Sequence, residues 1–226
     1  NLKGRRFTFG FQSPPSPMTL YSGGRPKGAH RPQACVGCTA GCRGRYSDGI
    51  GNEAICFNSL FYMFGKDLIT QRKAADLINQ YGLNAAEMFF GEMYLKSLHR
   101  EGVLGPGRTI DCPLDFDRYG DLSYAEQLVK AISYRSDGKG RPHPFGDVLA
   151  EGSLRMATRY GHPELAMVSK GLDLAGYDPR GTQGLGLNYA TSPIGASHMR
   201  GDTPYCELLG VPVKIDGQTW EDKPPI

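Results

Sequence analysis

Ala34-Cys35-Val36-Gly37-Cys38-Thr39-Ala40-Gly41-Cys42 is the stretch on which the reading of this chain turns. Three thiols fall within eight residues, spaced Cys-x-x-Cys-x-x-x-Cys, and two glycines lie among them. Three cysteines cannot all pair with one another, so the spacing speaks for a reduced compartment and a metal or cluster rather than a disulfide scaffold. Thiolates this close on a glycine-containing loop can wrap three irons of a cubane, and Gly37 and Gly41 let backbone N–H groups turn toward the cluster sulfurs. Arg43 and Arg45 add positive charge beside an anionic centre. Structural zinc also uses Cys-x-x-Cys but normally takes two pairs, and no second pair of cysteines or histidines follows. The spacing favours a 4Fe-4S cluster on Cys35, Cys38 and Cys42. A fourth ligand is needed, and Cys56, Cys112, Cys206 and a residue outside this chain all stay open.

Around this loop the composition is that of a globular protein. The chain has 226 residues, 39 % of them hydrophobic, with 26 Lys and Arg against 23 Asp and Glu. A formal charge of +3 is too small and too evenly spread to argue for nucleic acid. No apolar run approaches the ~18 residues that would span a bilayer, and Asn1–Gly10 shows no signal-peptide pattern. The 31 glycines and 16 prolines are dispersed rather than repetitive, which predicts many turns without low complexity.

Along the chain, residues 1–30 read as an irregular, basic lead-in. From Asp67 the pattern becomes helical: Leu68, Ala74, Ala75, Leu77, Ile78 and Tyr81 recur at helical spacing and Gly82 ends the run. Asn84-x-x-Glu87 resembles a capping box opening a second helix, with Met88, Phe89, Leu95 and Leu98 as its stripe and Gly102 as its end. Ser123-x-x-Glu126 predicts the start of a third helix through Leu128, Val129 and Ile132. A fourth is expected over Phe145–Tyr160, with Val148, Leu149, Met156 and Ala157 on one face. Residues 171–201 carry seven glycines in 31 positions and read as loops able to approach a ligand closely. The predicted fold is mainly α with long loops.

Several stretches, taken in order, resemble the tungsten-dependent aldehyde:ferredoxin oxidoreductase family. Arg31-Pro32-Gln33-Ala34-Cys35 through Cys42 is similar to its cluster loop. Asn79-Gln80-Tyr81-Gly82-Leu83-Asn84 resembles its pterin-contacting motif, and Gly146-Asp147-Val148-Leu149-Ala150-Glu151-Gly152 a characteristic helix. Lys170-Gly171-Leu172-Asp173, Tyr177 through Gly181, Tyr189 through Ser192 and His198-Met199-Arg200-Gly201 resemble its active-site loop. The resemblance implies the central helical domains of that fold, with 31–140 as an iron-sulfur and pterin-contacting domain. It makes 141–226 a second helical domain, cut short at its C-terminal end. The family's N-terminal sheet domain has no counterpart here, so the chain is expected to be an internal portion of a larger subunit, with the fourth cluster ligand beyond its end.

The resemblance also implies cofactors: a tungsten or molybdenum bis-pterin, optionally with Mg bridging the pterins, beside the cluster. Asn79, Gly82, Leu83 and Asn84 would contact the pterin, and Lys170 and Arg180 its phosphates. The family's aldehyde oxidases carry Glu-Tyr-Glu-Thr where this chain has Glu53-Ala54-Ile55-Cys56. Glu53 remains as an acid–base group, and the soft thiol of Cys56 becomes a candidate tungsten ligand. That departure resembles the tungsten subunit of class II benzoyl-coenzyme A reductase, and favours reduction of an aromatic acyl-coenzyme A with His198 handling a proton. Aldehyde oxidation coupled to ferredoxin is the alternative, and a non-catalytic iron-sulfur electron-transfer module a third. A ferredoxin or iron-sulfur subunit as electron partner, a cytoplasmic location and assembly into an oligomer or larger complex complete these expectations.

Overall fold

The computed structural model describes residues 31–33, 43–45, 67–174, 179, 181–197, 213–215 and 218–220; within these, only the backbone is described for 31–33, 43–45, 68, 71, 72, 85, 86, 89, 90, 213–215 and 218–220. The described part is dominated by helices, with four small two-stranded sheets. The chain divides into one compact unit over residues 10–166 and another over 167–226 together with 1–9.

In the first unit, strands β1 (Arg31–Gln33) and β2 (Arg43–Arg45) pair antiparallel, with Arg31 opposite Arg45 and Gln33 opposite Arg43. In sequence, the segment with the three clustered cysteines lies between these two paired strands. Helix α1 (Leu68–Gln80) opens on Asp67, whose Oδ1 accepts the Thr70 N–H at 2.9 Å. It buries Ala74, Ala75 and Ile78, the stripe that the periodicity marks. Its end is a Schellman turn: the Gly82 N–H donates to the Asn79 carbonyl at 3.1 Å and the Leu83 N–H to that of Ile78 at 2.9 Å. Gly82 sits at φ +68°, where glycine alone is unstrained.

Helix α2 (Ala85–Arg100) follows at once, its first turn held by Met88 N–H to the Asn84 carbonyl, and buries Met88, Leu95 and Leu98. It ends as α1 does, with Gly102 and Val103 donating to the His99 and Leu98 carbonyls. A short parallel bridge of β3 (Leu104–Gly105) and β4 (Ile110–Asp111) leads to α3 (Leu122–Tyr134). The third helix starts earlier than the expected Ser123 box: Asp121 holds the cap position, and its carbonyl accepts from Tyr124 and Ala125. Ser123 and Glu126 thus lie inside the helix.

The expected single helix over 145–160 is two. Helices α4 (Pro144–Leu149) and α5 (Ser153–Tyr160) are broken at Gly152, whose φ of +88° no helix accommodates. A Cβ at that glycine would lie 2.7 Å from Glu87 Oε2, so the break is also where α2 brings a carboxylate against the backbone. The expected face is nevertheless buried through Val148, Leu149, Met156 and Ala157. Helix α1 packs on α3, α3 on α4, and α2 on α5, and Tyr124, Phe145, Leu98 and Leu128 fill the core between them. Burying each such side chain contributes roughly 1.5–3 kcal/mol.

In the second unit, β5 (Val168–Ser169) and β6 (Leu172–Asp173) form a tight hairpin. Within 171–201, read as loops, lies a helix, α6 (Gln183–Thr191). Gly184 and Gly186 hide it from propensity, and it buries only Leu185 and Tyr189 while Leu187 is 66 % exposed. Strands β7 (Val213–Ile215) and β8 (Gln218–Trp220) pair antiparallel near the end of the chain.

Candidate functional site

A cavity of about 220 Å³ opens between α2, α3 and the α4–α5 corner of the first unit. Its walls are apolar: Met88 and Leu95 from α2, Leu128 and Ile132 from α3, Leu149 and Met156 from the corner. Helices α2 and α5 can close this side because Gly91 faces α5; a Cβ there would lie 3.3 Å from Ser153 Oγ. Four polar residues interrupt the walls, namely Asn84, Glu87, Glu92 and Ser153.

The cavity joins two separately chosen sequence motifs. Leu83 and Asn84 come from the stretch after α1, and Leu149, Ala150 and Gly152 from the stretch that ends α4. The Schellman turn explains the first: Gly82 provides the left-handed turn, and the backbone of Asn79 serves as its acceptor. Leu83 and Asn84 are thereby delivered to the cavity.

Glu92 is the most perturbed group of the site. It lies on the buried face of α2 and is 2 % exposed. Its Oε2 accepts the Tyr119 hydroxyl at 3.1 Å, while Oε1 has no partner among the described residues. Burial pushes its carboxyl up to about 8, against the opposing pull of Lys96 and of the Tyr119 hydrogen bond. The Lys96 ammonium stands 3.6 Å over the Tyr119 ring, a cation–π contact, with its own pKa drawn down by burial. At neutral pH Glu92 therefore holds its proton. Sequence reasoning missed it, although a glutamate between Met88 and Leu95, on the face those residues bury, was a readable signal.

Of the other predicted residues, Lys170 occupies the β5–β6 turn at φ +53° and donates from Nζ to the carbonyls of Ala190 at 2.8 Å and Ser192 at 2.7 Å. It thus ties the hairpin to the C-terminal end of α6. Thr191 Oγ1 donates within α6 to the Leu187 carbonyl. Cys35, Cys38, Cys42, Glu53, Cys56, Arg180 and His198 lie outside the described residues. Cys112 is fully buried, and burial pushes its thiol up to about 12. Among the described residues no cluster of three or more His, Cys, Asp or Glu is placed to hold a metal ion. None of the described helices is long and apolar enough to cross a membrane.

Comparison with known proteins settles the lineage. The family model for aldehyde ferredoxin oxidoreductase, domains 2 & 3, matches residues 23–226. The chain belongs to the aldehyde ferredoxin oxidoreductase family. The tungsten-containing aldehyde ferredoxin oxidoreductase of Thermococcus kodakarensis is 33 % identical over 201 residues, which cover 85 % of this chain and 31 % of that protein. The protein of the same name from Pyrococcus furiosus is 38 % identical over 141 residues, covering 62 % of this chain and 20 % of its own. That from Pyrococcus abyssi is 29 % identical over 202 residues, covering 85 % and 32 %. This member of the aldehyde ferredoxin oxidoreductase family thus spans a third or less of the curated relatives that it matches.

Proposed function

We propose that the protein containing these residues is a tungsten–pterin oxidoreductase that oxidises aldehydes to carboxylic acids and passes the electrons to ferredoxin. The observation that carries this reading is the match to domains 2 and 3 of the family together with relatives named for that activity. Reduction of an aromatic acyl-coenzyme A, favoured by Ile55-Cys56, gains no support from those relatives, and the aldehyde alternative fits them better. The overall change is an aldehyde plus water giving a carboxylic acid, two protons and two electrons.

The residues present suit such cofactors. Three thiols fall in sequence between the two strands that the β1–β2 ladder pairs, a donor set fit for a 4Fe-4S cluster. The exposed amide of Asn84, at the cavity, can donate to and accept from a pterin without adding charge. When bound, the metal–pterin centre supplies the two-electron chemistry and the cluster relays single electrons. In this reading Cys56 is a candidate ligand to the metal, Glu53 takes the proton of the attacking water and His198 moves protons away from the pocket. Arg180 meets phosphate, whereas Lys170 does so only with the N–H left over from its two carbonyl bonds. Mg bridging the pterins, a cytoplasmic location, a larger assembly and the division of the helical part near residue 140 belong to the same proposal.

The test is an assay of the full-length native protein for benzaldehyde oxidation and for benzoyl-coenzyme A reduction, with elemental analysis of the same preparation. Tungsten, iron and aldehyde turnover are expected. Ring reduction without aldehyde oxidation would reverse the choice of substrate, and iron without tungsten or molybdenum would leave an electron-transfer module.

A further inference from the structure

In sequence Glu87 is the far half of a capping box with Asn84, but the structure gives it a different place. Its carboxylate lies against the backbone of Gly152, where an added Cβ would stand 2.7 Å from Oε2. There it lines the cavity together with Asn84 and Ser153, among Met88, Leu95 and Met156. It caps nothing at that corner: the Gly152 N–H goes to the Leu149 carbonyl at 3.2 Å. The Glu87 side chain forms no hydrogen bond or ion pair among the described residues. Unlike Glu92, whose carboxyl is buried and engaged by Tyr119, Glu87 is only partly buried and open to a ligand. A metal ion suits the place poorly, because no cluster of ligating side chains is present among the described residues. What two partnerless carboxylate oxygens accept best is a pair of N–H groups side by side.

We infer that Glu87 recognises the head of the pterin, its carboxylate accepting the amino group and the neighbouring ring N–H of the amino-pyrimidinone edge. Those two donors lie parallel on the ring as they do on one side of a guanidinium, and a carboxylate is the acceptor that matches them. Asn84, three residues earlier on the same side of α2, brings an amide to the ring carbonyl beside them. Charge sets the direction of entry: Glu87 attracts the donor edge and repels the phosphate end, which stays outside. At about 220 Å³ the cavity exceeds the roughly 150 Å³ that takes up benzene, as a fused two-ring head requires. Apolar walls supply affinity and the few polar groups supply orientation. This inference rests on the tungsten–pterin reading and adds to it a residue outside the Asn79–Asn84 stretch.

Fluorescence titration of the full-length protein, expressed in cells that cannot make the cofactor, with pterin and with lumazine tests it. Lumazine is the same ring system with an oxygen in place of the amino group. Pterin should bind at least about tenfold more tightly, as the loss of one hydrogen bond to a charged group predicts. Glu87→Gln, which keeps the shape but turns an acceptor into a donor, should level or invert that preference. Glu87→Ala should level it, with thermal melts confirming that both variants fold. Expressed in cells that do make the cofactor, Glu87→Gln should purify with severalfold less pterin per chain than the unaltered protein. Equal affinity for the two rings, no saturable binding of either, or a preference that survives both Glu87 variants would each overturn the assignment. Elemental analysis and pterin extraction of the native protein separate the two readings. A native protein lacking tungsten and pterin overturns both, whereas one that holds them while the Glu87 variants behave as the unaltered protein overturns the role of Glu87 alone.

Discussion

Helices α5 and α6 have eight and nine residues, yet different forces hold them. Helix α5 buries Ser153, Met156 and Ala157, an i, i+3, i+4 stripe that packs on α2. Helix α6 buries Leu185 and Tyr189 but leaves Leu187 in solvent. Much of what fixes its far end is polar: Lys170 takes the Ala190 and Ser192 carbonyls, and Asn188 Nδ2 donates to the Ser197 carbonyl at 3.1 Å. One helix is held by area removed from water, which scales with side-chain size. The other relies in addition on a few directional bonds to carbonyls that a helix end leaves open.

If that contrast is right, truncating the buried stripe has the larger effect. Met156→Ala should cost about 2–4 kcal/mol in denaturant unfolding of the full-length protein, and a loss below about 1 kcal/mol would mean that α5 is not held by its packing.

Glu92 sharpens the comparison from the opposite side, being a polar group within the apolar-held unit. Its folded-state pKa of about 8 stands above the ordinary 4.5. The folded protein therefore keeps a proton that the unfolded chain releases, and stability falls as pH rises from about 4.5 to about 8. Lys96 and the Tyr119 hydroxyl face the same carboxyl and soften the effect without reversing it. Glu92→Leu should flatten this slope and raise stability at pH 8 by roughly 2 kcal/mol. An unchanged pH profile would remove Glu92 as its source.

The smallest effect is expected in the second unit. Lys170→Met keeps the length of the side chain but removes both carbonyl bonds, and should cost about 1 kcal/mol. Hydrogen exchange should place that loss in α6 and the β5–β6 turn. Exchange unchanged there would show that Leu185 and Tyr189 suffice.

The same contrast explains what could be read from the sequence. Helices α1 and α2 were legible because their stripes are regular and because Gly82 and Gly102 close them. The break at Gly152 was not, since the left-handed backbone there, with the Glu87 side chain packed against it, is set by contacts that periodicity does not record. Helix α6 was hidden because part of its hold, from Lys170 and Asn188, is tertiary and polar, which no periodicity records. Asn84, which lines the cavity, belongs to a stretch that is also a helix terminator. Glu92 was passed over because one polar residue on an apolar face carries meaning only once the walls around it are known.

The pairing of Gln33 with Arg43 bears on the segment between them, which carries Cys35, Cys38 and Cys42 in sequence. Residues 34–42 run in sequence between two bonded strand residues, so the backbone ladder brings the ends of that segment together without help from a metal. The entropy of closure is met by main-chain bonds, so if the thiols hold a cluster as proposed, their bonds to it would not have to supply that closure. Under that proposal the hairpin would form first and the inorganic centre second. A variant that weakens the ladder, such as Gln33→Pro, should emerge from synthesis poor in iron even though every cysteine is intact.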